Sequence, residues 1–102
     1  MSDHSYNHQL VQLITQDFKI EADEMLKADS EEVLLDQLNK LVSFLLDKDM
    51  EKLLQTLYRV DVNETLVKTI LATSEPTRVS KDLSSAILER LKKKLYYRNK
   101  YR

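Results

Sequence analysis

The chain contains no glycine among its 102 residues, and this absence restricts its fold and its chemistry more than any other feature. Tight two-residue β-hairpins depend on glycine because their backbone takes positive φ values, so an all-β fold is not expected. Loops that hold phosphate groups need glycine so that backbone N–H groups can approach the anion. The Walker A loop, the glycine-rich dinucleotide-binding loop and the G-x-S-x-G nucleophile elbow are therefore excluded.

The composition instead favours α-helices around a leucine-rich core. The sequence has eighteen Leu, seven Val and four Ile, with one proline, Pro76, and no tryptophan. Leu, Lys, Glu and Gln are good helix formers, and few residues here break a helix. A chain of this length buries roughly 60–70% of the surface of its unfolded form, which is enough for one core. We therefore predict a single all-α domain over residues 1–102, a compact bundle of about five helices with short loops.

Apolar residues at three- and four-residue spacing place these helices. In chain order, the predicted helices cover residues 7–27, 30–46, 50–59, from 61 or 63 to 73, and from 80 into the C-terminal segment. Residues 1–6 are expected to fray. The longest loop is expected at "TSEPTRVS", because Pro76 disfavours a helical conformation at Glu75.

Five short polar residues are candidates to cap four helix N-termini. They are Asp29, Asp49, either Asp61 or Asn63, and Ser80. Asp61 has Glu64 three residues later, as in a capping box, whereas Asn63 would give Val62 and Val67 the positions of a hydrophobic staple. The sequence leaves both starts open. The third helix is expected to bury Met50, Leu53, Leu54, Leu57 and Tyr58. The fourth helix is expected to bury Leu66, Val67, Ile70 and Leu71.

The run "LLQTLYRVDVNE", at residues 53–64, resembles a group of small bacterial all-helical proteins with no assigned function. The resemblance covers the middle and C-terminal thirds of the chain. It implies no activity, cofactor or catalytic residue. Within this run, Arg59 and Asp61 flank a helix junction, and we interpret them as a local hydrogen bond or cap rather than as a partner-binding surface.

No pattern indicates catalysis or metal binding. The absence of cysteine excludes disulfides, thiolate nucleophiles and cysteine-ligated metals. His4 and His8 share the spacing of metal-binding pairs, but no third ligand is near in the sequence, and we interpret both as exposed. The segment 47–58 begins like a calcium loop but has Lys52 where glycine is required and Tyr58 where a bidentate glutamate is required. We predict a non-enzymatic protein with no cofactor and no metal.

The C-terminal segment "LKKKLYYRNKYR" concentrates positive charge. Residues 89–102 carry +6, whereas residues 1–88 carry −7. A helical projection places Leu83, Ile87, Leu88, Leu91 and Leu95 on the core face, and Lys94 and Arg98 fall within the same stripe. Lys92 and Lys93 fall outside it, so the charge is expected to surround the helix. We expect burial to weaken between Leu91 and Leu95 and residues 96–102 to project as a basic tail.

This segment supplies the candidate contact surface. Its residues are Arg90, Lys93, Lys94, Tyr96, Tyr97, Arg98, Lys100, Tyr101 and Arg102. The favoured hypothesis is a protein–protein interaction or structural module, with a homodimer as one form of it. The alternative is a weak nucleic-acid-binding protein that contacts phosphates with Arg90, Lys92, Lys93, Lys94, Arg98, Lys100 and Arg102. No run of about 18 apolar residues suggests a membrane span, and a cytoplasmic location is expected.

Overall fold

The computed structural model describes residues 3–20, with side chains from residue 6, and residues 30–101. This part of the chain contains five α-helices and no strand, which confirms the predicted all-α bundle. The helices are α1 (Asp3–Phe18), α2 (Glu31–Lys48), α3 (Met50–Val60), α4 (Glu64–Thr73) and α5 (Val79–Lys100). Among the connections described in full, residues 74–78 at Pro76 form the longest, as predicted. No helix in the described ranges is long and apolar enough to cross a membrane.

The last helix, α5, organises the bundle because it packs against each of the other four helices. One face of it is buried along most of its length. The buried leucine and isoleucine residues of this face are Leu83, Ile87, Leu88, Leu91 and Leu95. Leu95 has no exposed surface, so the expected loss of burial between Leu91 and Leu95 was wrong. The C-terminal turns of α5 therefore remain part of the core on that face.

The first helix ends at Phe18, before the predicted end at Lys27. Lys19 takes a left-handed backbone conformation, with φ of 56°, and the Ile20 N–H donates to the Thr15 carbonyl at 3.1 Å. This pair of features is a Schellman-type helix end, in which glycine is the usual left-handed residue. A chain without glycine has to use another residue there. Residues 21–27 of the predicted helix lie outside the described residues, and fraying of residues 1–6 stays a prediction, although α1 already begins at Asp3.

Two of the predicted caps are present and one open choice is settled. The Asp49 carboxylate accepts the Lys52 N–H at 3.0 Å at the start of α3. At the start of α4 the Asn63 side chain accepts the Leu66 N–H at 3.0 Å. Asp61 instead ends α3 in a left-handed conformation, with φ of 68°. Aspartate tolerates this conformation better than most residues because its short side chain bonds locally.

The other two cap predictions were not confirmed. α2 is capped by Ser30, whose hydroxyl accepts the Val33 N–H at 3.1 Å, and the predicted cap Asp29 lies outside the described residues. α5 begins at Val79 without a side-chain cap. Ser80 lies inside α5, where its hydroxyl donates to the Asn39 carbonyl at 2.8 Å. Ser80 therefore joins α5 to α2 rather than starting α5.

The predicted inner faces of α3 and α4 were wrong in part. The buried residues of α3 are Leu53, Thr56, Leu57 and Val60, and those of α4 are Val67 and Ile70. The residues that were expected inside but lie exposed are Met50, Leu54, Tyr58, Leu66 and Leu71. The reason in α4 is that this helix packs mainly on α5, so one neighbour covers only a narrow stripe of it.

Candidate partner-binding surface

The C-terminal turns of α5 present six exposed side chains, which we call the C-terminal surface. They are Lys93, Tyr96, Tyr97, Arg98, Lys100 and Tyr101. The helix continues through Lys100, and buried Leu95 holds the opposite face on the bundle. These side chains are therefore displayed by regular helix rather than by an irregular tail.

The three tyrosines of this surface form one aromatic cluster. The Tyr97 and Tyr101 rings are stacked, with centroids 6.2 Å apart and an interplanar angle of 7°. Tyr96 meets Tyr97 edge to face at 5.3 Å. The Lys100 ammonium lies 5.6 Å from the centroids of both Tyr96 and Tyr101, which is within cation–π distance. The rings stabilise one another while more than half of each remains exposed.

Two neighbouring cations instead form hydrogen bonds with other groups of the same chain. The Arg90 guanidinium donates to the Asp61 carbonyl at 3.0 Å and to its carboxylate at 3.2 Å, which joins α5 to the turn between α3 and α4. The Lys92 ammonium donates to the Glu31 carboxylate at 2.7 Å, at the start of α2. This hydrogen bond raises the pKa of Lys92 above its ordinary value, against an opposing effect of desolvation. Both cations therefore stabilise the fold.

A third cation, Lys94, joins three helices. Its ammonium donates to the Arg59 carbonyl at 3.2 Å and lies 4.0 Å from the Asp17 carboxylate. The Arg59 side chain in turn donates to the Asp17 carbonyl at 2.9 Å. Partial burial raises the pKa of Asp17 and outweighs the attraction of Lys94 and Arg59. Arg59 thus bonds across the fold to α1 in addition to a local hydrogen bond to the Thr56 hydroxyl at 3.5 Å. Asp61 supplies the predicted cap at the end of α3.

The structure consequently divides the candidate contact residues into two groups. Arg90 and Lys94 are bound to groups of the same chain, whereas Lys93, Tyr96, Tyr97, Arg98, Lys100 and Tyr101 come together on the exposed end of α5. Arg102 lies outside the described residues. Whether the exposed group contacts a partner stays a prediction.

A groove between α4 and α5 was missed by the sequence interpretation. It encloses about 370 Å³, and its apolar residues are Val62, Leu66, Ile70 and Ala86. Its polar residues are Asn63, Asp82, Ser85, Glu89, Arg90 and Lys93. A signal for it was present in the sequence. The apolar residues of α4 spread over more of the helix circumference than one neighbouring helix can cover.

A second exposed apolar feature runs along α3. Met50, Leu54 and Tyr58 are spaced by four residues and form one row on the outer face of that helix. Tyr58 is 85% exposed, the highest value among the large apolar residues of the described chain. We call this row the α3 stripe.

The described residues contain no group of three or more His, Asp or Glu side chains arranged to hold a metal ion. No protein family, curated protein or solved structure matches the chain. The resemblance drawn from "LLQTLYRVDVNE" therefore stays a prediction, and the function has to be argued from the surfaces themselves.

Proposed function

We propose that this chain is a small non-enzymatic helical module that binds another protein through the C-terminal surface. One observation carries the proposal. The described chain provides internal partners for Arg90, Lys92 and Lys94, but it contains no ion pair for Lys93, Arg98 or Lys100. Lys100 lies over two of three tyrosines that are more than half exposed, and Lys93 and Arg98 are exposed on the same C-terminal turns of α5.

Tyrosine and arginine are enriched among the residues that dominate protein–protein binding energy. Their contribution to the binding free energy is greatest where they are already ordered before binding, since immobilising free side chains costs conformational entropy and opposes association. The stacked Tyr97 and Tyr101 rings, on a helix anchored by Leu95, are already ordered before binding. This arrangement supports a binding role over that of a solvated helix end.

Nucleic acid is the second candidate, because exposed tyrosines can stack on bases and cations can bind phosphates. The pairing of three of these cations with groups of the same chain weakens the nucleic-acid hypothesis. Of the seven cations that the sequence offered for phosphates, three are engaged within the fold and Arg102 lies outside the described residues. Contacts from the three remaining described cations give a slope of about −2.7 in a plot of log affinity against log salt for duplex DNA, and a contact from Arg102 would make it about −3.6. Binding of this kind is weak at moderate salt.

A homodimer is another form of the interaction proposal, and the α3 stripe supports it. A row of exposed apolar side chains can pack against its own copy across a two-fold axis. Light scattering on the full chain and on a double variant, Leu54→Ser with Tyr58→Ser, tests this form. A dimer mass that falls to the monomer mass in the variant supports it, and a monomer mass for both rejects it.

The main proposal is tested by partner capture with matched variants. The test variant is Tyr97→Ser with Lys100→Ser, and the control is Phe44→Ser with Lys81→Ser, which removes an exposed aromatic residue and an exposed lysine outside both proposed surfaces. Proteins captured from an extract of the source organism are identified by mass spectrometry after nuclease treatment. We expect a protein that the control retains and the test variant loses. Equal retention by both variants contradicts the proposal.

A parallel titration with a fluorescent oligonucleotide at low and moderate salt tests the second candidate. Affinity that falls steeply with salt and depends on Lys100 supports nucleic-acid binding. Absence of binding at low salt removes it, because phosphate contacts are strongest there.

A further inference from the structure

The fourth helix covers only part of one face of α5. The Ser74 hydroxyl donates to the Asp82 carboxylate at 2.7 Å, so the end of α4 lies beside the start of α5. Arg90 binds Asp61, just before the start of α4. α4 therefore runs antiparallel to α5 and reaches along it only as far as about Arg90. Beyond that point α5 continues to Lys100, roughly 15 Å at 1.5 Å per residue.

The α4–α5 groove and the C-terminal surface belong to one continuous face. At 100° per residue, Ala86, Lys93, Tyr97 and Lys100 fall within about 60° of one another on α5. Ala86 and Lys93 line the groove, and Tyr97 and Lys100 follow beyond the start of α4. The face is thus apolar beside α4 and aromatic and cationic past its end.

The charges along this face have a direction. Asp82 and Glu89 lie on the groove beside α4, and Lys93 and Lys100 lie toward the C-terminus. A nucleic-acid backbone, which is negative along its whole length, would meet two carboxylates at one end and could not use the apolar residues. A peptide whose negative charge is confined to one end would match both halves.

We propose that the face binds an amphipathic α-helix of a partner protein. The apolar stripe of that helix lies against Leu66 and Ala86, at a groove floor formed by the largely buried Val62 and Ile70, and its acidic end lies over Lys93 and Lys100. This inference rests on the proposed protein-binding function and specifies the partner's chemistry. Leu66, which is 44% exposed in the free protein, is the main apolar contact left uncovered without the partner.

The test uses three synthetic 18-residue helical peptides labelled with a fluorophore. The first has leucines at three- and four-residue spacing and glutamates at one end. The second has lysines in place of those glutamates, and the third has serines in place of the leucines. Each is titrated into the full-length chain, and ¹⁵N–¹H spectra locate the site. We expect the first peptide to bind at residues 62–70 and 82–100 and the other two to bind at least tenfold more weakly.

Protein variants locate the two halves of the face. Lys93→Glu replaces an attraction by a repulsion and should weaken the first peptide roughly tenfold. Lys81→Glu makes the same charge change on the first turn of α5, away from the face, and should leave binding unchanged. Leu66→Ser should weaken binding by a similar factor, since it removes exposed apolar area without opening the core. Circular dichroism confirms that each variant is folded.

The outcomes separate this inference from the proposed function. If no peptide binds, or if the lysine peptide binds as well as the glutamate peptide, the inference is wrong, while partner capture still decides the proposed function. If binding depends on Tyr97 and Lys100 but not on Leu66, the C-terminal surface is supported and the groove is not. An oligonucleotide that displaces the glutamate peptide at moderate salt overturns the inference in favour of nucleic acid.

Discussion

The replacement Leu95→Ala tests whether the C-terminal turns of α5 belong to the core. Leu95 is fully buried, although the sequence places it between Lys94 and Tyr96 in a basic segment. Its neighbour Tyr96 is 57% exposed and provides a matched control, Tyr96→Ala, at the next position of the same helix. Since alanine is the best helix former, neither change opposes the helix itself.

The expected loss follows from burial. Truncating a buried leucine to alanine removes apolar transfer energy and leaves a cavity, at a cost of about 2–5 kcal/mol in the free energy of unfolding. We take about 3 kcal/mol for Leu95. For a domain of about 100 residues, 1 kcal/mol lowers the melting temperature by roughly 4–8 °C, so the expected decrease is roughly 12–24 °C. Tyr96→Ala should cost about 1 kcal/mol or less, because most of its ring lies in solvent.

Urea unfolding followed by circular dichroism measures both free energies. The ratio between the two variants matters more than either value, since both start from the same wild type. If Leu95→Ala costs less than about 1 kcal/mol and equals Tyr96→Ala, the last turns of α5 fray in solution. That result would refute the burial assigned to Leu95 and would remove the rigid support of the C-terminal surface.

Three further predictions concern the contacts that hold the fold. Asn63→Ala should cost about 1 kcal/mol of unfolding free energy because the α4 N-terminus loses its cap, and urea unfolding checks this. Burial raises the pKa of Asp17, so its ionised form destabilises the native state increasingly as pH rises through that pKa. The stability of Asp17→Asn relative to wild type should therefore increase between about pH 3 and pH 7, and a constant difference would contradict this. A double-mutant cycle on Glu31 and Lys92 should give a coupling of about 0.2–1 kcal/mol that decreases with salt, whereas the same cycle with Glu32 in place of Glu31 should give none.

The parts of the fold that could be predicted from the sequence depend on local sequence patterns. Leucine spacing and short polar caps depend on residues within one or two turns, and for this reason five helices and the Asp49 cap were predictable. The end of α1 was not. The usual signal is a glycine at the left-handed position, and here Lys19 takes that position instead.

The inner faces of α3 and α4 depended on information that no local pattern contains. Both Leu53 and Leu54 fit a helical stripe, and only the positions of the neighbouring helices decide that Leu53 is buried and Leu54 is exposed. The same holds for Val67 and Leu66 in α4. The groove was missed because the whole of the wide apolar face of α4, including the groove residue Leu66, was assigned to the core.

The contacts of the cations in the C-terminal segment also could not be predicted from local sequence patterns. Lys92 and Lys93 are adjacent and chemically identical, yet Lys92 binds Glu31, 61 residues away, and Lys93 lines the α4–α5 groove. Helical projection predicted correctly that the charge surrounds the helix, but its placement of Arg98 within the core stripe was wrong, because Arg98 is exposed. It could not tell which cations would find acidic or carbonyl partners on α1, α2 and α3.

One helix therefore has two separable roles at its C-terminal end. Leu91 and Leu95 face the core, whereas Lys93, Tyr97 and Lys100 face solvent, and the two sets interleave along the same turns. Substitutions of the outer set leave the core leucines in place, so they should alter binding without large changes in stability. A loss of binding in such variants can then be attributed to the surface itself, because the helix that displays it stays anchored.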